Sequence, residues 1–207
     1  IILSIDLGPS PEKKFSKDYQ SGALSFEIYF KGKKLISNSG YFQNYKHQLN
    51  SISRSTASHS TLTIDNRSST KLKKNADGTL IIDKAAKIIK KNIVSEKDYF
   101  SIMGSHDGYL KEYGIIHERQ IEFFAKSNKF IGKDRLIRKK KFKSTNFEIR
   151  FHFEPGTKIT KTQEGKTILI ELPNSGWRFF CKGHSIDVET GLYFGKKGSF
   201  SENQNIL

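Results

Sequence analysis

Cysteine is nearly absent from this chain of 207 residues: Cys181 is the only one. A lone cysteine excludes an intrachain disulfide and any cysteine-based zinc site. It lies in the apolar run Trp177-Arg178-Phe179-Phe180-Cys181, which reads as a strand, so its thiol is expected to be a small buried hydrophobe. Long apolar runs are missing as well. None approaches the roughly 18 residues that a membrane-spanning helix requires. There is no Gly-rich phosphate loop, no G-x-S-x-G elbow, no H-x-H and no histidine pair at i,i+4. The spacing therefore supports neither a serine hydrolase nor a helix-borne zinc site. No RNA-recognition octamer, KH loop or basic helix face is present, so nucleic acid is not an expected partner. An initiator Met is lacking: the chain opens inside a strand-like run, Ile1 to Asp6, and closes on Asn205-Ile206-Leu207. Both ends read as cuts in a longer protein, so targeting information is not expected within it.

What the chain has is positive charge, aromatic rings and alternation. Lys+Arg number 36 against 21 Asp+Glu, a formal charge of +15. Such an excess suits a polyanion, whether nucleic acid, an anionic membrane or an acidic polysaccharide, and equally suits a soluble lysine-rich surface. The basic run Arg138 to Lys141 has no interleaved aromatics, and acidic carbohydrate fits a β scaffold better than nucleic acid does. Aromatics make up 12%, with 16 Phe, a composition suited to sheet faces.

Period-2 alternation recurs along the chain. Ala23 to Phe30 places Leu24, Phe26, Ile28 and Phe30 on one face, and Lys31-Gly32-Lys33 turns it into Lys34 to Asn38. Phe147 to Phe153 puts Phe147, Ile149, Phe151 and Phe153 on one face and Glu148, Arg150 and His152 on the other. Ser39 to Ser58 reads as a long polar loop. Ala85 to Lys91 reads either as a short helix or as a strand crossing between sheets. Roughly a dozen short strands argue an all-β fold, a large antiparallel β-sandwich forming a single domain over residues 1–207.

Chemistry-bearing groups are few. Arg54-Ser55-Thr56-Ala57-Ser58-His59-Ser60-Thr61 leads into the strand Thr61 to Asp65, with His59 at its start. A histidine there is a titratable group and a possible ligand, or a rim residue tied to backbone. Ser105-His106-Asp107-Gly108-Tyr109 groups an imidazole, a carboxylate and a phenol, which a turn on Asp107-Gly108 also explains. His152 could bind an anion with Arg150 or share in a cross-strand ion pair.

Taken in order, these residues resemble the C-terminal β-sheet region of the heparinase II/III family of polysaccharide lyases, particularly its bacterial branch. Gly22-Ala23-Leu24-Ser25-Phe26-Glu27 matches "(G/D)-A-L-S-F-E", Asn38-Ser39-Gly40 matches "(D/N)-x-G", and Arg54 to Thr61 matches "R-(S/A)-T-A-A-H-(N/S)-T". Ile5 to Pro9, Ser105 to Tyr109, His117-Glu118-Arg119, Arg150-Phe151-His152 and Gln204 to Leu207 follow in the expected order. The resemblance implies a β-sandwich paired with an N-terminal α/α toroid and a cleft between them for a uronic-acid glycan, cleaved by β-elimination. It implies a periplasmic or cell-envelope setting. The toroid carries the catalytic tyrosine and the carboxylate-neutralising asparagine, so the isolated segment is expected to be inactive.

The β region of the family brings an H-x-H-x-D histidine, and in some members a zinc site. Here Asp18 and Gln20 fall at the two histidines and Asn38 at the "D-x-G" Asp, leaving His59 the one retained ligand-type residue. Zinc is therefore not expected, since amides are poor zinc ligands. The candidate catalytic residues are His59 and His106; the candidate substrate-binding residues are Arg54, Asn38, Gln20 and Tyr109. A catalytically silent carbohydrate-binding or envelope module is the alternative, because glutamine cannot act as a general acid or base.

Overall fold

A computed structural model describes residues 1–140, 144–162, 164–195 and 198–207. Lys141, the last residue of the basic run, lies outside the described residues. The fold is the expected β-sandwich. One layer begins with the antiparallel sheet β1 (Ile2–Ile5), β2 (Phe26–Phe30) and β3 (Lys33–Ile36). The β2–β3 turn has positive φ at both Lys31 (50°) and Gly32 (76°), the geometry that matches the twist of two paired strands. Past β3, a bridge from Ser37 to His152 passes the layer on to β12 (Phe151–His152), β17 (Ser201–Ile206) and β16 (Val188–Tyr193). A short pair, β4 (Leu62–Ile64) with β11 (Phe147–Ile149), adjoins it.

Facing this layer are a four-stranded sheet and a three-stranded meander. The sheet has the order β10 (Lys129–Arg138), β9 (Ile115–Phe124), β8 (Tyr99–His106), β7 (Ile88–Ser95). The meander is β13 (Lys158–Lys161), β14 (Ile168–Leu172) and β15 (Ser175–Phe179). A separate hairpin, β5 (Lys71–Lys74) with β6 (Leu80–Lys84), stands beside them. The main core lies between the layers: Phe26, Ile28, Leu35 and Ile36 against Ile121, Ile159, Ile168 and Ile170. Gly104 in β8 lets the layers close, since a Cβ there would stand 2.3 Å from Leu7 Cδ2.

Of the two readings of Ala85 to Lys91 the strand is the one found, the chain leaving β6 and entering β7 in another sheet. Three expectations change. The 39–58 segment is not all loop but holds α1 (Gln48–Ser53) and a 3-10 turn at Thr56–Ser58, and α2 (Leu110–Tyr113) follows the Asp107-Gly108 turn. The 147–153 run splits into β11 and β12, and its polar face is not outward. His152 is 3% exposed, because β12 lies between β17 and the bridge to Ser37. Cys181 is exposed, because β15 ends at Phe179 and the thiol lies beyond the sheet.

Candidate functional site

The segment carrying His59 is fixed from both ends. His47 caps α1, its Nδ1 accepting the Leu49 N–H at 3.2 Å, which satisfies one of the free donors of a helix start. Arg54 at the helix end is fully buried, and its guanidinium donates to the backbone oxygens of Tyr19 (2.8 Å), Ser16 (2.9 Å) and Leu80 (3.0 Å). It is a strut that ties residues 16–20 to β6. Thr56 turns the chain, its Oγ1 donating to Ser21 O at 2.6 Å, and His59 then emerges in extended conformation.

Around His59 the hydrogen bonds dictate the tautomer. Its Nδ1 lies 2.8 Å from Ser55 O, and a carbonyl only accepts, so Nδ1 carries the proton. The neutral ring then offers a lone pair at Nε2, where the Gln20 carboxamide meets it at 3.2 Å; turning the NH2 toward the ring satisfies both groups. Gly22 permits this approach, as a Cβ there would stand 2.8 Å from His59 Cδ2. Asn38 closes the wall from the other side. Its Oδ1 accepts the Ser60 N–H at 2.7 Å, and its backbone N–H donates to Glu27 Oε1 at 3.1 Å. His152 lies behind, with Nε2–H donating to Ala57 O (3.0 Å) and Nδ1 accepting from Ser39 Oγ (2.9 Å). Burial pushes both rings down to about 4, outweighing the Ser55 and Ala57 carbonyls that favour the charged forms, and His59's charge adds to the effect on His152. Both are neutral at pH 7.

A second chain of groups supports the same segment. Gly108 N–H donates to His106 Nδ1 (3.1 Å), so His106 Nε2–H donates to His117 Nδ1 (3.1 Å), and His117 Nε2–H donates to Asp134 Oδ1 (2.6 Å). Arg119 grips Asp134 bidentately at 2.8 and 3.1 Å and turns its NH1 to Ser60 O (2.6 Å) and Leu24 O (3.1 Å). Burial raises the Asp134 carboxyl, but Arg119 and His117 outweigh it and hold it well below the usual carboxylate range. Burial drives both histidines down. Ser60, the residue after His59, is thus held by Arg119, Asn38 and, through its Oγ, Ser37 O.

At the exposed rim, Asp18 Oδ1 accepts the hydroxyls of Tyr41 (3.0 Å) and Tyr45 (2.5 Å). The bond to Asp18 pushes the Tyr45 phenol up to about 12. Slight burial raises the Asp18 carboxyl, yet the two phenols, Lys17 and Arg54 together hold it lower.

The structure brings Gln20, Asn38 and His59 together and leaves Gln20 and Asn38 half-buried at the surface. It does not give Arg54, Tyr109 or His106 a surface. Arg54 and His106 are fully buried, and Tyr109 is 1% exposed with its hydroxyl donating to Leu62 O (2.9 Å) and Arg67 O (3.2 Å). The sugar contact expected of Arg54 and Tyr109 and the catalytic role expected of His106 would therefore require these groups to become accessible; as described they bond to backbone oxygens and to His117. The Gln20, Asn38 and His59 donors do not fit zinc: two are neutral amides, and Asn38 Oδ1 is spent on the Ser60 N–H. The spacing did not reveal Asp134 or Glu27. Arg119 lay in the His117-Glu118-Arg119 match, while its partner Asp134 is identified by the β9–β10 register, where the two stand opposite.

The family model described as "Heparinase II/III-like, C-terminal" matches residues 1–207. Among solved structures, the chain is similar to the heparan sulfate lyase HepC from Pedobacter heparinus, with a TM-score of 0.75 and 16% identity over 99% of this chain and 29% of that one. It is also similar to the protein described as "Heparinase III-BT4657 gene product", with a TM-score of 0.67 and 18% identity over 90% of this chain and 27% of that one. At these identities the likeness is one of fold. The chain spans under a third of the length of these proteins, and no curated protein is matched.

Proposed function

The chain belongs to the heparinase II/III-like C-terminal family, and on that premise we propose that it is the β-sandwich part of a polysaccharide lyase acting on an acidic, uronic-acid-containing glycan. In this reading residues 1–207 work as one unit against an N-terminal α/α toroid of the parent chain, in the periplasm or cell envelope. A base removes the C5 proton of the uronate, the electron pair forms the C4–C5 double bond, and the 4-linked oxygen departs with a proton. The toroid supplies the tyrosine and the carboxylate-neutralising asparagine, so the segment alone is inactive.

The observation that carries this reading is the wall itself. Gln20 and Asn38 keep half-exposed amides on either side of a neutral His59, within a family whose substrates lie against this region. The amides contact sugar hydroxyls, His59 orients Gln20, and Arg54, His106 and Tyr109 hold the segment in place. Buried polar groups that are fully paired discriminate strongly between ligands that do and do not replace their bonds.

A catalytically silent binding module is the second reading, favoured by one fact: both ring nitrogens of His59 and of His106 are already engaged. The full-length parent on a panel of acidic glycans separates the two. Ultraviolet absorbance of the unsaturated uronate product is expected to rise on at least one glycan. Binding without any rise supports the silent module, and neither binding nor a rise removes the glycan reading altogether.

A further inference from the structure

One surface carries charge that the wall does not use. Lys13 to Phe15 form a single 3-10 turn whose following residue, Ser16, is fastened to the β5–β6 hairpin: Ser16 Oγ accepts the Ile82 N–H at 2.9 Å, and Arg54 holds both Ser16 O and Leu80 O. Between turn and hairpin runs a shallow depression lined by Glu12, Lys13, Lys14, Asn75 and Ile81. On the hairpin, Lys71 and Lys73 lie two residues apart, about 7 Å along the strand. Asp83 pairs with Lys73 at 3.1 Å while the charges of Lys71 and Lys13 also act on it.

The carboxylates of this surface are already taken. Asp83 is held by Lys73, Glu12 by Lys14 at 3.4 Å, and Asp77 by the N–H and hydroxyl of Thr79. Lys71 partners Lys84 at a register shift in the β5–β6 ladder, so the hairpin gathers Lys71, Lys73 and Lys84 about the Asp83 carboxylate, which Lys73 holds. The cations also continue toward the wall, since Lys17 lies 5.8 Å over the Tyr45 ring at the Asp18 rim.

We propose that Lys13, Lys71, Lys73 and Lys84 form a second binding surface for an acidic polysaccharide, engaging sugars that extend beyond the His59 wall; this rests on the acidic-glycan reading above. The choice of partner follows from the cations. All are lysines, hydrated point charges without the fork that grips a phosphate bidentately. A single exposed ring, Phe15, with Lys14 Nζ 4.8 Å over it, is not the succession of stacking platforms that single strands use.

The test compares heparin binding by the protein, by Lys13→Gln/Lys71→Gln/Lys84→Gln, and by a control of equal charge, Lys158→Gln/Lys166→Gln/Lys182→Gln. At about 0.1 M salt the first triple is expected to bind roughly tenfold more weakly, with a shallower salt dependence, because fewer counterions are released. The control is expected to bind like the parent. The first triple is expected to keep the parent's thermal midpoint, which separates lost binding from lost folding. Equal weakening of both triples overturns the proposal in favour of net charge. Preference for a DNA duplex over heparin, abolished by the same triple, overturns the glycan class. No binding of any acidic glycan by the unmodified protein removes the functional reading and this surface with it, whereas retained binding in the first triple removes this surface alone.

Discussion

Acidification from pH 7 to pH 4 is expected to unfold the protein through its buried histidines. In the folded chain His59 and His152 titrate at about 4, chiefly because burial disfavours the charged ring. In the unfolded chain both titrate near 6.5. Between those values the unfolded state binds more protons, so stability falls as pH falls. The contribution is fully present above about 6.5 and gone below about 4. One such histidine loses on the order of 3 kcal/mol across the window. The two rings interact, so their joint loss is on the order of 3–6 kcal/mol, against about 5–15 kcal/mol for a whole domain. His106 and His117, also depressed, act in the same direction. Asp134 adds a later loss, because a carboxylate held low when folded stabilises above its unfolded value near 3.9 and ceases to do so below it.

Urea midpoints at pH 7.5, 6.5, 5.5 and 4.5 measure the slope. The comparison is His59→Asn/His152→Gln, in which the Asn amide reaches Ser55 O in place of Nδ1 and the Gln amide reaches Ala57 O in place of Nε2. This variant is expected to be less stable at neutral pH but to have a flatter slope. An unchanged slope, or no loss between pH 7.5 and 4.5 in the parent, refutes the reasoning.

Three further substitutions and one chemical probe test the rest of the architecture. Gly22→Ala, which drives a methyl to 2.8 Å from His59 Cδ2, is expected to cost about 1–3 kcal/mol by urea titration, whereas Gly132→Ala, with nothing within 4 Å, stays within about 0.5 kcal/mol. Asp134→Asn leaves the buried Arg119 without a countercharge and is expected to cost about 3–5 kcal/mol in the same assay. Arg54→Met strips three buried carbonyls of their donor and is expected to cost on the order of 3 kcal/mol, with residues 16–20 gaining hydrogen exchange. Cys181 is expected to react with a thiol reagent in native buffer at the rate of an open thiol; protection until denaturation would contradict its exposed position.

The fold was legible wherever one face of a strand is buried and the other wet. In β2 Phe26 and Ile28 point inward and the Lys31-Gly32 turn lies where the alternation breaks, whereas Ala23-Leu24, expected in the same strand, is a turn with Leu24 at φ 60°. Reading failed where tertiary contacts overrule local pattern. α1 has only two apolar residues, Leu49 and Ile52, and Ile52 is 45% exposed; what holds it is Asn50 Nδ2 on Phe42 O at 2.7 Å and the His47 cap. His152 on β12 goes inward because the 39 and 57 segments cover its ring, Ser39 Oγ meeting Nδ1 and Ala57 O meeting Nε2. Period 2 says which residues share a face, never which face is dry. For the same reason His59 was found through its neighbours in sequence, while His106, His117 and Arg119 were read only as separate stretches and Asp134, on a third strand, was not read at all.

The charge and the wall are separate devices, and that separation has a consequence for recognition. The formal charge of +15 resides largely on exposed lysines, while the wall is built of neutral imidazoles and amides, with Glu27 accepting the Asn38 N–H and Asp18 held by two phenols at the rim. Screening weakens interactions of exposed charges over about 10 Å at 0.1 M salt but leaves short neutral hydrogen bonds nearly untouched. Under the proposed reading, affinity for an acidic glycan is expected to fall with ionic strength through the lysines, whereas discrimination by Gln20 and Asn38 is expected to change little with salt. A positively charged wall would bind any anion, whereas neutral groups that already share hydrogen bonds, as Asn38 Oδ1 does with the Ser60 N–H, favour a ligand that restores the bonds it breaks.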